Sequence, residues 1–161
     1  MGQFLGTHQG KLDAKNRLSV PACYRNQLKL GAANAPLPAN ACTPLIVRPS
    51  HNHPCLEVWT EVDLNAMAAP LEKLNPFSAE YDDLSLTLFG DAETMEADKE
   101  GRIVLPAKFI TYAQMDQKRP IAFTGRGKVF EIWDAELLER RKQEATRRTR
   151  ERSLALSEPR S

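Results

Sequence analysis

The sequence predicts an α+β fold made of two tandem copies of one small unit, β-turn-β-α-β-β, with helices between and after the copies. Three observations predict it. Asp13-Ala-Lys-Asn-Arg-Leu-Ser-Val-Pro-Ala22 aligns without a gap with Asp98-Lys-Glu-Gly-Arg-Ile-Val-Leu-Pro-Ala107, 85 positions later. Glu57-Val58-Trp59 matches Glu131-Ile132-Trp133 at the shorter offset of 74, which leaves 11 extra residues between the blocks of the first copy. Eleven prolines in 161 residues favour many short elements and turns over a long helical bundle.

Taken in order, each repeated block opens on a tight turn. Asn16 and Gly101 share one slot in the alignment, and these two residue types best tolerate positive φ. Asp13 and Asp98, three residues earlier, are placed to accept hydrogen bonds from the turn backbone. Apolar or alternating segments flank the turn, as in a β-hairpin whose tip displays Lys15 and Arg17, or Lys99 and Arg102. Pro21 and Pro106 then suit a first helical turn, with short helices expected over 22–28 and 107–114. The proline-rich stretch from Pro36 to Pro54 reads as a looping connector around a strand at Pro44–Arg48, followed by a strand at Leu56–Thr60. In the second copy Gly125-Arg126-Gly127 signals a hairpin between Ile121–Gly125 and Lys128–Trp133. Thr60-Glu-Val-Asp63 resembles a capping box for a helix to about Leu74. Ser78 suits the cap of another to about Phe89, with Tyr81, Leu84 and Leu88 in helical period. Asp134 caps a last helix from Ala135 to about Leu156. The expected units are therefore 7–60, a helical connector 61–90, a second unit 91–134, and a basic helix and tail 135–161. Four short strands and one helix bury little surface alone, so the two copies are expected to pack together.

Charge is unevenly spread. Residues 1–56 carry +5, residues 57–98 carry −10 and residues 99–161 carry +6, for a net +1. An anionic partner would bind the basic ends. No apolar run approaches the roughly 18–20 residues of a membrane span, and no secretory signal is evident at the N-terminus. Three cysteines without CxxC spacing fit a reducing compartment. A cytoplasmic protein is expected, with no membrane partner.

These residues resemble the MraZ family, bacterial regulators with two SpoVT-AbrB-type domains. The resemblance is carried by Phe4-Leu5-Gly6, Asp13–Pro21, His53-Pro54-Cys55-Leu56, Asp98–Pro106 and Phe130–Asp134. It implies an AbrB-like β-barrel of the swapped-hairpin type, formed as a pseudo-dimer within one chain. It also implies a nucleoid-associated transcriptional regulator of the division and cell wall gene cluster, its own gene included, and ring-like homo-oligomers. In that family the Asp-x-x-x-Arg loops contact double-stranded DNA at promoter repeats. By position, this nominates Lys15 and Arg17 in the first copy and Arg102 in the second, joined by Lys99 and, on the following helices, Arg25 and Lys108. Asp13, Asn16, Asp98 and Gly101 would shape the loops. Repression would follow from occupying promoter DNA. Lys11 and Lys15 align with Glu96 and Glu100, so the first copy is expected to contribute more to affinity.

Plainer readings stand beside these. Arg17 and Arg102 suit a structural ion pair with Asp13 or Asp98 as well as they suit DNA. Arg25 and Lys108 fit a solvated helix face. His51, His53, Cys55 and Cys42 match no common zinc module, so neither metal nor cofactor is expected, and Cys55 reads as buried. No catalytic constellation stands out, which argues against an enzyme. The acidic stretch 57–98 reads as the solvated face of two helices. The arginine-rich segment 140–152 reads either as a non-specific DNA arm or as an exposed helix with i,i+4 pairs. The rival to a DNA-binding regulator is a protein-interaction module such as an AbrB-like antitoxin. Two copies of the fold with helices between them argue against it.

Overall fold

The computed structural model describes residues 2–38 and 40–156, so residues 157–161 of the expected tail lie outside the described residues. In chain order the elements are β1 (Thr7–Lys11), β2 (Arg17–Ser19), α1 (Ala22–Leu30), β3 (Thr43–Pro49) and β4 (Leu56–Trp59) in the first copy. The helices α2 (Glu61–Glu72) and α3 (Ala79–Phe89) follow. The second copy has β5 (Glu93–Ala97), β6 (Arg102–Val104), α4 (Ala107–Tyr112), β7 (Pro120–Gly125) and β8 (Phe130–Asp134), and α5 (Ala135–Leu156) comes last. The α+β class and the element order are those the repeat predicts.

Strand pairing departs from a simple hairpin reading. The turn after β1 is present: the Asp13 N–H donates to the Arg17 carbonyl and the Asn16 N–H to the Asp13 carbonyl, both at 3.0 Å. Yet β1 and β2 do not form a ladder with each other. β1 pairs antiparallel with β7 and β2 with β6, both from the other copy. The resulting sheet runs β1-β7-β8-β4-β3-β5, with β2 and β6 as a separate two-stranded ribbon. A hairpin of β1 with the three-residue β2 would be marginal alone. Exchange between the copies instead sets Leu18 opposite Ile103, and both are buried.

The pairing relates equivalent positions. Leu18 and Ile103 occupy the same slot of the repeat and face each other, as do Glu57 and Glu131 where β4 meets β8. His8 pairs with Phe123 in one copy and its equivalent, Glu93, pairs with Val47 in the other. Self-pairing of equivalent residues is what a two-fold contact requires. The duplication therefore reads directly into the way the halves meet.

Both copies fill one core. Leu12, Leu18, Tyr24 and Leu28 from the first pack with Ile103, Phe109, Phe123 and Phe130 from the second. Each such side chain contributes on the order of 1.5–3 kcal/mol on burial. A smaller cluster of Cys55, Ala122, Trp133 and Leu138 seats the start of α5 on the sheet.

Helix ends follow their caps. Thr60 Oγ1 accepts the Asp63 N–H at 3.0 Å, Ser78 Oγ the Tyr81 N–H at 3.1 Å and Asp134 Oδ2 the Leu137 N–H at 3.2 Å. α1 and α4 start at Ala22 and Ala107 as expected, with Pro21 and Pro106 at the caps rather than at the first helical position. α4 stops at Tyr112, short of 114, because Gln114 turns to φ +56° and the Met115 N–H reaches back to the Ile110 carbonyl. On α3 the apolar period specifies a helix without specifying a core face: no α3 residue is buried, and Leu84 and Leu86 are exposed.

Candidate nucleic-acid interface

The two Asp-x-x-x-Arg loops are built alike, and the aspartate is the centre of each. Asp13 Oδ1 accepts the backbone N–H of Lys15 at 2.9 Å and of Arg17 at 2.8 Å, while Oδ2 accepts from Arg17 Nε at 2.7 Å. Asp98 repeats the pattern with Glu100 N–H and Arg102 N–H, both at 2.9 Å, and Arg102 Nε at 3.1 Å. Hydrogen bonds to the charged form hold both carboxyls below the usual aspartate range, the N–H of Arg17 or Arg102 being the largest cause, against partial desolvation. The slot three residues on has φ +61° at Asn16 and +84° at Gly101. A side chain at Gly101 would also be crowded, since a Cβ there would lie 2.5 Å from Arg25 Nε.

The ribbon between the loops has two unlike faces. Directly opposed residues on antiparallel strands point the same way, so Leu18 and Ile103 face the core while Arg17, Ser19, Arg102 and Val104 face outward. The register pairs Arg17 with Val104 and Ser19 with Arg102. The two arginines therefore lie on a diagonal, a relation that sets Cβ atoms about 7–8 Å apart. Val104 is 62% exposed although its neighbours Ile103 and Leu105 are buried. The side chains of Arg17 and Arg102 are 32% and 34% exposed. Each ion pair with aspartate engages Nε, so the structural pairing and an outward-facing guanidinium coexist.

The copies differ in their acidic neighbours. Glu100 Oε2 lies 2.6 Å from Arg102 Nη2, giving that arginine two carboxylates. The corresponding position in the first copy is Lys15, which is exposed, as is Lys99 in the second loop. Arg25 donates from Nε to the Val20 carbonyl at 3.1 Å and rests against Gly101, so this first-copy side chain braces the second-copy loop. Lys108 is paired with Glu93 and sits 5.2 Å from the centre of the Phe109 ring.

Three further cations lie beside the first loop: Lys11, which the alignment with Glu96 already marks as a basic position of the first copy, and Lys118 and Arg119, which lie outside the repeated motifs and are not nominated from sequence. Lys11, Lys118 and Arg119 line one open cleft, and Gln117 Nε2 stands 3.5 Å from Asn16 Oδ1. Lys11 is separated from Lys118 and Arg119 by more than one hundred residues of chain, and the β1–β7 register brings it to them.

The arginine-rich half of α5 leads away from these loops. Asp134 pairs with Ile121, next to the Lys11–Pro120 pair at the loop end of β1, whereas Lys142 Nζ bonds Thr7 Oγ1 at the far end. Three of its arginines form i,i+4 pairs, Arg140 with Glu136, Arg147 with Glu151 and Arg148 with Glu144. Around the His and Cys cluster, Cys55 is buried, which pushes its thiol pKa up. His53 lies against Trp133 and accepts a hydrogen bond from Arg141 Nε at 3.2 Å; burial and that guanidinium lower its pKa. Among the described residues no three His, Cys, Asp or Glu side chains are grouped to hold a metal ion, and no helix is long and apolar enough to cross a membrane.

Comparison with known proteins covers nearly the whole chain. The family model described as "MraZ protein, putative antitoxin-like" matches residues 3–85 and again 88–155. Proteins named transcriptional regulator MraZ are similar to it throughout. That of Gluconacetobacter diazotrophicus is 44% identical over 97% of this chain and 92% of its own length. That of Gluconobacter oxydans is 43% identical over 98% and 90%. That of Xanthobacter autotrophicus is 33% identical over 94% and 89%.

Proposed function

The chain belongs to the MraZ family, a family of transcriptional regulators and not of enzymes, and on that premise we propose that it is a sequence-specific DNA-binding regulator whose β2–β6 ribbon enters the major groove. The observation that carries the reading is the outward face of the ribbon, two diagonal arginines with a small hydroxyl and an exposed valine. A two-stranded ribbon fits the groove, arginine suits the guanine edge or a phosphate, serine accepts either role, and an aliphatic group suits the thymine methyl. In this reading Arg17 and Arg102 contact base edges or phosphates, and Lys15 and Lys99 at the loop tips take phosphates. Arg25 and Lys108 add flank contacts. Asp13, Asn16, Asp98 and Gly101 hold the loops in shape.

The same reading takes the exchanged strands as an AbrB-like swapped-hairpin barrel, a pseudo-dimer of 7–60 with 91–134 joined by 61–90 and followed by the helix and tail 135–161. One ribbon makes few contacts. Useful affinity then comes from several subunits of a ring-like homo-oligomer on promoter repeats, since linkage raises avidity by roughly 10²–10⁴ without new contacts. The targets are the promoter repeats of the division and cell wall cluster, the setting the cytoplasmic nucleoid, and the outcome repression by occupancy.

A gel shift on DNA upstream of its own gene, at several salt concentrations, tests the proposal. Arg17→Ala weakens binding more than Arg102→Ala and lowers the salt slope by about one unit if it holds a phosphate. Unchanged affinity in both variants would remove the ribbon mechanism.

A further inference from the structure

We propose that Lys11, Lys118 and Arg119 form a phosphate-binding cleft that grips the DNA backbone on one side only of the sequence read by the ribbon. The inference rests on the DNA-binding reading above and adds to it a site and a direction. The cleft, about 530 Å³, opens between the end of β1 and the turn before β7. Lys11 and Lys118 are exposed. Arg119 is half-exposed and held in place: Nη2 donates to the Gln114 carbonyl at 2.7 Å, and Nε stands 3.3 Å from Asp134 Oδ1 without hydrogen-bond alignment. Asp116, the nearby acid in that turn, is occupied by the backbone N–H of Lys118 at 2.7 Å. Gln117 against Asn16 makes the cleft continuous with the first loop. A duplex seated on the ribbon thus runs onto a second cationic surface without a break.

The direction comes from the repeat. Lys11 pairs with Pro120 in one half and its equivalent, Glu96, pairs with Pro44 in the other. Counting back along each strand, Lys118 and Arg119 correspond to Cys42 and Thr43. Three cations are replaced by one carboxylate and two neutral groups, and Glu61 lies near Glu96 in the matching groove. Phosphates are attracted at one end of the pseudo-symmetric face and repelled at the other. A nearly two-fold protein therefore binds DNA with a defined polarity.

The test measures anisotropy of a labelled 30-base-pair duplex of random sequence against salt for wild type, Lys11→Ala, Lys118→Ala and the double variant. Lys73→Ala, an exposed lysine at the end of α2, is the charge-matched control. Each cleft lysine removed lowers the magnitude of the slope of log K against log salt by about 0.9, and the pair by about 1.8, while Lys73→Ala leaves it unchanged. Hydroxyl-radical footprinting on the upstream DNA then loses protection on one flank in the double variant and keeps the centre. A slope equal to that of the control, or a footprint shortened on both flanks, overturns the cleft. If Arg17→Ala abolishes sequence preference while the double variant behaves as wild type, the cleft falls and the ribbon reading stands; a wild type that binds no duplex sinks both.

Discussion

Replacing Arg48 with methionine tests how the two copies tolerate facing carboxylates. Glu57 and Glu131 sit directly opposite each other across β4 and β8, where like charges repel. Glu57 is neutralised by Arg48, whose Nε and Nη2 lie 3.0 Å and 2.8 Å from its Oε1 and whose Nη1 donates to the Thr87 carbonyl at 3.2 Å. Glu131 has Arg126 at 2.9 Å. The Arg48 side chain is 3% exposed and that of Glu57 is 12% exposed, so its removal leaves a nearly dry carboxylate facing a second one. Breaking such a pair costs about 3–5 kcal/mol, and the residual access of Glu57 to water places this case near the lower end. At about 2–4 °C per kcal/mol for a chain of this size, Arg48→Met lowers Tm by roughly 6–12 °C. Glu57→Gln in the same background removes the orphaned charge, keeps a partner for the Trp59 indole N–H that now bonds Glu57 Oε1 at 3.2 Å, and restores stability to within about 1 kcal/mol. Urea unfolding followed by far-UV circular dichroism measures both. A loss under about 1 kcal/mol in the single variant, or a double variant no more stable than the single, refutes the reasoning.

Glu100→Gln releases Arg102 from its second carboxylate and removes a charge that repels phosphate. DNA affinity is expected to rise about two- to fivefold, in line with an exposed pair worth up to about 1 kcal/mol; titration by anisotropy reads it, and unchanged or weaker binding counts against the inequality of the loops. Acid should loosen both loops. The folded-state pKa of Asp13 and Asp98 lies below the ordinary 3.8, so their ionised contribution to stability is fully present above that value and is lost as pH falls through and below it. The stability gap between wild type and an Asp13→Asn/Asp98→Asn variant should close over that window, as measured by unfolding midpoints between about pH 6 and pH 2.5. Thiol titration should find Cys23 and Cys42 reactive in the native protein and Cys55 reactive only on unfolding, since burial raises its pKa and denies access.

Local chemistry makes the loops and helix ends legible in the sequence. An aspartate that gathers two backbone N–H groups and an arginine within five residues needs no distant partner, and the same holds for Thr60 and Ser78 at their helix starts. The duplication is equally plain, because equal local bonds select equal residues: Asp13 and Asp98 gather their loops, and Trp59 and Trp133 each donate the indole N–H to the glutamate two residues earlier. Leu84 shows the limit of periodicity: a repeat of apolar residues names a helix but not what covers it.

The choice of partners is decided in three dimensions. The segments flanking each turn satisfy the alternation of a hairpin whether they pair within a copy or across copies, and only the combined burial of Leu18, Ile103 and the aromatic core selects exchange. That exchange sets Arg17 and Arg102 on one outward face, brings Lys118 to Lys11 across more than one hundred residues, and sets the Thr7 end of β1 against Lys142 of α5, away from the loops. Sequence alone determined which residues bend, cap and carry charge, since those preferences act over a few bonds. Tertiary structure alone determined which of them meet, because strand pairing is a sum of contacts between distant segments that no short stretch encodes.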